Sequence, residues 1–308
     1  MKYIIENILL CQSDQDQSKS LLIEDSKVVN AYSRLSHYNY MRLNTDNFSI
    51  TPGHVMIDLS IININDFSCF KERMKHLQNI GCTTLISASD LKYESQFEFE
   101  IKKAKHAFIN SSIDFLIGIK IPLKKLTATL VRKCNKYKVP VVFVEINSIE
   151  ELYIPEWQRI RDELFPFHIV ILPIWNIQAS KMKFKKIKRD WKVLLTEYHI
   201  TTYENAPNEH QPLSKEVLSN IGLYPKKGAL LTGSDADYLL FKNDNLNKDK
   251  LEITQQLPDV VCANGVIKKA GVDIFIRPGS GKEIIVNVPR KFVSINQAFQ
   301  PTTISIDY

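Results

Sequence analysis

The spacing of hydrophobic positions changes twice along the chain. In residues 1–50 apolar residues fall in short runs between polar turns, Tyr3–Leu10 and then Ser20–Val29. The second run reads as two strands that turn at Glu24–Lys27, which has the composition of a hairpin. From about residue 55, the runs Val55–Ile62, Cys82–Ser87, Asp114–Ile121, Val139–Ile146 and Phe167–Pro173 alternate with amphipathic segments. Those segments are Phe67–Asn79, Phe97–Asn110, Leu123–Lys138 and Pro155–Glu163. Buried β-branched strands alternating with helices predict a parallel α/β domain, either a barrel or a doubly wound sheet. Trp191–Thr202 reads as a sixth strand region. After about residue 225 helical spacing stops, and Tyr238–Phe241, Asp259–Cys262, Val272–Arg277 and Glu283–Val288 read as strands. Arg277–Lys282 between the last two reads as a hairpin turn. It contains GxGK without the spacing of a phosphate-binding loop, and Glu283 stands where Ser or Thr is required, so nucleotide binding is not expected there.

Composition narrows the class. The 308 residues are 44% hydrophobic and 24% charged, which suits a folded globular protein and not a disordered or collagen-like one. No run approaches the roughly 18 to 20 apolar residues of a membrane helix. The opening MKYIIENILLCQSDQDQSKS has no small-residue cleavage site, so a signal peptide is not expected. Five cysteines, odd in number and without a CxxC pair, suit a reducing compartment and argue against a zinc knuckle. The expected location is the cytoplasm. The net charge of +6 is concentrated in Lys181–Arg189, followed by Trp191 and Lys192. Charge runs of this kind are mostly solvated helix faces, here with Met182, Phe184 and Ile187 packing inward. A phosphate-holding role is the weaker alternative, so nucleic acid is not an expected partner, and neither is a membrane.

Three stretches, in order, carry a family resemblance: Ile50-Thr-Pro-Gly-His-Val-Met-Ile-Asp-Leu59, Ile80-Gly-Cys-Thr-Thr-Leu-Ile86 and Gly228-Ala-Leu-Leu-Thr-Gly-Ser-Asp-Ala-Asp-Tyr-Leu-Leu-Phe241. They resemble the amidohydrolase superfamily in its dihydroorotase, hydantoinase and allantoinase branch: the Pro-Gly…Ile-Asp-x-His-x-His lead into the first barrel strand, the Gly-Val-Thr-Thr second strand, and the Lys-Gly-x-Ile-x-x-Gly-x-Asp-Ala-Asp exit. Thr202-Tyr-Glu-Asn-Ala-Pro207 is similar to that family's Thr-Asp-His-Ala-Pro segment. The resemblance implies a (β/α) TIM-like barrel over residues 55–224. It also implies a small β-sandwich built from both chain ends, 1–54 and 225–308. The middle region holds about 170 residues, whereas a complete barrel takes roughly 200 to 250, so the barrel is expected to be truncated or distorted.

The resemblance further implies one or two divalent metals at the strand ends, held by histidines, often a carbamylated lysine, and an aspartate that moves the proton. This chain departs at those positions. Ser60 and Ile62 replace the expected His-x-His, Glu204 replaces the aspartate and Asn205 the histidine after it. His168 begins a strand instead of ending one, and His37, His54, His76, His106 and His210 read as ordinary surface or core histidines. No metal ligand set is therefore assigned. The vestigial catalytic positions are Asp58 and Glu204; Lys120, the counterpart of the carbamylated lysine, is grouped with Glu145 and His199 as candidate substrate contacts. The expected function is a catalytically degenerate amidohydrolase-like binding or scaffolding module without a cofactor, working as a homodimer or with a protein partner. The alternative is a hydrolase of cyclic amide C–N bonds with a rebuilt carboxylate site, and a divalent metal such as Zn or Mg would then be the cofactor.

Overall fold

The computed structural model describes residues 2–10, 18–32, 35, 37–45, 47–165, 167–242 and 256–290. At the N-terminus, β1 (Lys2–Leu10) pairs antiparallel with β2 (Ser18–Glu24), and β2 pairs antiparallel with β3 (Lys27–Tyr32). The turn at Glu24–Lys27 is where the pattern placed it, and Asp25 there adopts φ 54°. On its other edge β1 pairs parallel with β4 (Met41–Asn44) along Tyr3–Glu6 and with β5 (Phe48–Pro52) along Leu9–Leu10.

The middle of the chain alternates as its apolar pattern predicts. It runs β6 (His54–Ile57), α1 (Phe67–Asn79), β7 (Cys82–Asp90), α2 (Phe97–Ala107), β8 (Asp114–Pro122), α3 (Ala128–Tyr137), β9 (Val141–Ile146), α4 (Trp157–Leu164), β10 (Val170–Trp175), α5 (Lys181–Glu197) and α6 (Lys215–Ile221). The strands β6 to β10 form one parallel sheet in chain order, curled as half of a barrel. Helix starts follow their caps: the Asp66 carboxylate accepts from Cys69 N at 2.8 Å, and the Thr127 hydroxyl from Leu130 N at 3.1 Å. Period-two alternation splits each strand between two cores. Met56, Leu85, Phe115, Ile117, Val142 and Ile171 pack outward against helix residues such as Met74, Ile101, Leu130 and Ile160. Val55, Ile57, Ile86, Leu116, Phe143 and Leu172 face inward.

Two segments depart from their sequence pattern. Trp191–Thr202, expected to hold a strand, continues α5 to Glu197, because Ile187, Trp191 and Leu195 recur at helical spacing and are buried. Only Thr202 bridges β10, parallel to Ile171. Within α5, Ile187 is buried and Phe184 half-buried, but Met182 is exposed and does not pack inward. At the other end, the chain passes through β11 (Tyr238–Lys242), β12 (Val260–Ala263), β13 (Val266–Ala270) and β14 (Asp273–Ile274). These join β1–β5 in one nine-stranded sheet through antiparallel pairing of β11 with β5.

Glu283–Val288, expected as another strand of that region, crosses to the parallel sheet instead. Phe115 N donates to Lys282 O at 3.0 Å, Ile284 N donates to Phe115 O at 2.8 Å, and Ile284 and Val286 enter the inner core. Arg277–Lys282 is therefore a crossing and not a hairpin. Gly281 permits the approach, since a Cβ there would meet Ile113 O at 2.1 Å. The physical reason is burial: five strands leave the concave face open, and Ile284, Val286 and the α6 residues Val217, Leu218 and Ile221 cover it.

The two sheets meet at a buried charge cluster. Lys227 Nζ, 1% exposed, lies 2.7 Å from Asp114 Oδ2, 2.7 Å from Asp237 Oδ2 and 3.0 Å from Asp235 Oδ2. Asn264 donates its backbone N–H to Asp237 Oδ1 and its side-chain amide to Asp114 Oδ2, and Lys282 N donates to Asp114 Oδ1. Burial works against the Lys227 charge, yet Asp237, Asp114 and Asp235 together hold it above the ordinary lysine value. Burial raises Asp237, with Lys227 and the Asn264 N–H opposing.

Lys227→Met leaves three buried carboxylates without their cation, and the expected loss is ~3–5 kcal/mol, read from urea denaturation. His54, buried at the start of β6 beside Ile80 O at 3.3 Å, has its pKa pushed down to about 4 by burial, partly opposed by that carbonyl. A depressed folded-state value gives stability that is complete above the ordinary 6.5 and lost as pH falls through about 4. The urea midpoint should therefore drop across that window, by up to ~3 kcal/mol in stability, and His54→Gln should flatten that part of the profile.

Candidate site at the mouth of the half-barrel

In a parallel α/β sheet the loops after the strands carry the chemistry, and three groups of side chains gather there. The first is built on the end of β6. Asp58 is fully buried, and its Oδ1 accepts from Ser60 N at 3.0 Å, Ser60 Oγ at 2.8 Å and Ile61 N at 3.0 Å, which closes the 3-10 turn Ile61–Asn63. Asp58 Oδ2 faces His210 Nε2 at 2.9 Å and Arg73 Nε at 3.5 Å. His210 is delivered by the segment after β10, which runs along β6: His210 N donates to Ile57 O at 3.0 Å and Leu213 N to Val55 O at 2.9 Å. Its neighbour Glu209 accepts from Leu59 N at 3.2 Å. Among the described residues, Asp58, Glu209 and His210 are the group whose possible ligand atoms all lie within 4.8 Å of one another.

His210 is therefore more than the ordinary loop histidine expected from sequence. Chain separation concealed the pair: the two residues are 152 positions apart, and although Asp58 belongs to the Ile50–Leu59 stretch, His210 belongs to none of the motifs. A half-buried imidazole held by a buried carboxylate can carry and pass a proton.

The second group spans three strand ends on the inner face. Lys120 Nζ lies 2.7 Å from Asp90 Oδ1 and 3.5 Å from Glu145 Oε1. Burial lowers the lysine's proton affinity, but the hydrogen bond and charge of Asp90, with Glu145 behind it, leave it above the ordinary value. Lys120 and Glu145 are thus brought together as grouped, with Asp90 as the partner that sequence reading missed.

The remaining candidates lie apart. Glu204 is exposed beyond β10, where its backbone carbonyl accepts from Trp175 Nε1 at 2.8 Å and its carboxylate is 3.8 Å from Lys192. The Asp58, Glu145 and Glu204 carboxylates therefore do not converge. His199 belongs to the opposite end of the sheet. It follows α5, precedes the extended residues that pair with β10, and lines a cavity with His168, Phe165 and Thr201. Its grouping with Lys120 is corrected on that ground: the residues after α5 run parallel to β10, so His199 sits where strands begin.

The third group is a cleft of about 710 Å³ beside the end of β10, walled by Trp175, Phe184, Lys188, Tyr203, Asn205 and Gln211, among others. Tyr203 Oη accepts from Asn220 Nδ2 at 2.7 Å, and burial pushes its pKa up to about 12.

No family model matches the sequence, and no curated protein matches it. Solved structures do match the fold. A D-hydantoinase aligns at TM-score 0.64 with 10% identity, covering 94% of this chain and 100% of that one. The L-hydantoinase (dihydropyrimidinase) from Arthrobacter aurescens aligns at TM-score 0.58 with 13% identity, covering 92% and 99%. A triazine hydrolase variant aligns at TM-score 0.52 with 9% identity, covering 90% and 96%. At these identities the likeness is one of fold: this chain shares the overall architecture of these hydrolases, with a partial barrel.

The burial of Asp58 sets an expected order of stabilities. Asp58→Ala strands three donors on one side and faces His210 and Arg73 with no acceptor on the other, so the expected loss is ~3 kcal/mol or more. His210→Ala should cost ~1–2 kcal/mol and Glu204→Gln nothing measurable, all three read from urea midpoints.

Proposed function

We propose that this chain is a catalytically degenerate amidohydrolase-like protein that acts as a binding or scaffolding module. The observation that carries the reading is the end of the first parallel strand. There the Ser60 hydroxyl is committed to Asp58, and Ile62 packs against the outer core, so neither offers a metal the nitrogen donor that the resemblance implies. The remaining donors support the same reading. Lys120 is held as an ammonium between two carboxylates, whereas a carbamate forms from the neutral amine. Asp58, Glu209 and His210 offer one histidine and two carboxylates. Asp58 already accepts four hydrogen bonds, counting that from His210, and has a guanidinium 3.5 Å away. That set does not fit a pair of divalent ions. A second copy of the chain or another protein in the cytoplasm is the proposed partner.

One feature favours the alternative, a cyclic-amide hydrolase with a rebuilt site: the His210–Asp58 pair with Glu209 beside it has the composition of an acid–base centre. Metal analysis of the purified protein, with a hydrolysis screen on cyclic imides, ureides and dihydropyrimidines, separates the two. The expected outcome is substoichiometric metal and no turnover, with a dimer or a co-purifying protein in sedimentation. Stoichiometric metal, or turnover abolished by His210→Ala or Glu204→Gln, would overturn the degenerate reading.

A further inference from the structure

The cationic helix α5 and the cleft beside it form one surface, and we propose that this surface binds single-stranded nucleic acid. The charge run alone reads as a solvated helix face. What changes that reading is where the structure puts it. Lys181, Lys185, Lys188 and Lys192 stand at i, i+4, i+7 and i+11, so they align in one stripe along the helix, ~16 Å long at 1.5 Å per residue. Lys181, Lys185 and Lys192 are exposed and Lys188 half-buried, and between Lys181 and Lys192 the helix carries a single acidic residue, Asp190. Lys192 meets Glu204 at 3.8 Å.

The stripe borders the 710 Å³ cleft, whose lining contains no Asp or Glu. Aromatic side chains wall it: Trp175 and Phe184 meet edge to face at 5.9 Å between ring centroids, and Tyr203 lines the same cleft. Lys188 Nζ lies 4.2 Å from the Phe184 ring centroid, and Asn205, Asn208 and Gln211 supply amides. Ammonium groups spaced along a track, with aromatic faces and amide donors at one point beside it, match a phosphate backbone with one base turned into the cleft. A membrane fits less well, because Met182 and Val193 are the exposed large apolar residues of the helix and offer little area to insert. An acidic peptide would use the lysines but leave the aromatic cleft without an occupant. The proposal is independent of whether the barrel mouth retains chemistry.

The test is fluorescence anisotropy of a labelled, mixed-sequence single-stranded RNA of about 12 nucleotides titrated with the full chain over a range of salt. Binding should weaken steeply with salt. The triple variant Lys181→Gln, Lys185→Gln, Lys188→Gln should weaken it at least about tenfold and lower the log–log salt slope by about two. Phe184→Leu, which keeps an apolar side chain but removes the ring, should weaken binding several-fold at an unchanged slope. The charge-matched control Lys71→Gln, Lys102→Gln, Lys124→Gln, on surfaces away from α5, should stay within about twofold. Circular dichroism checks each fold, and Phe184→Leu against the control decides the matter if the triple variant is unfolded. The proposal is overturned if the parent chain does not bind, if the control loses as much as the α5 variant, or if Phe184→Leu binds as the parent does. It is also overturned if polyglutamate or phosphatidylserine vesicles at equal charge displace the RNA as well as unlabelled RNA does.

Discussion

Everything else in the structure hangs on one buried cation. Lys227 sits between Asp114, the first residue of β8, and Asp235 and Asp237, which precede β11. One side of the cluster therefore belongs to the parallel sheet and the other to the nine-stranded sheet. Three carboxylates around one ammonium would be an expensive arrangement without further donors. Asn264 and the Lys282 N–H provide them, and they come from the β12–β13 turn and from the crossing segment. The cluster thus fixes the relative placement of four separate pieces of chain, which apolar contact alone would leave free to slide.

That anchoring explains how a short barrel survives. Five parallel strands expose a concave apolar face that a complete barrel would close with more strands. Here the closing material is irregular: the segment that carries His210 lies along β6, α6 covers the middle, and Ile284 and Val286 arrive from the C-terminal region. The same irregular closure builds the mouth. His210 reaches Asp58 only because its segment runs where a further strand would lie. The irregular closure and the Asp58–His210 pair therefore go together.

The electrostatics divide the surface into two kinds of site. At the mouth, charges are internally satisfied: Lys120 by Asp90 and Glu145, Asp58 by its own turn, His210 and Arg73. Such groups have little left with which to meet a ligand. Along α5 more charge is open to solvent: Lys181 and Lys185 are exposed, and Lys188 borders a cleft whose lining contains no Asp or Glu. The charge left open to a ligand lies on that side of the molecule.

Much of the fold was legible in the sequence because it rests on local periodicity. The five parallel strands, the four helices between them and the β2–β3 hairpin follow from spacing, caps and turn residues. The Gly228–Phe241 stretch that carried the resemblance also supplies Asp235 and Asp237, so a recognisable motif turned out to mark the structural anchor. Tertiary structure decided the rest. Trp191–Glu197 is helix because Trp191 and Leu195 find a core on one face, and Glu283–Val288 leaves its expected sheet because the concave face needs covering. His199 and Lys120, grouped as candidate substrate contacts, lie at opposite ends of the sheet, whereas Asp58 and His210, 152 positions apart, touch. Local pattern determines which segments are strand or helix, since that depends on neighbours a few positions away. Which polar groups meet is set by long-range burial, and no spacing in the chain encodes it.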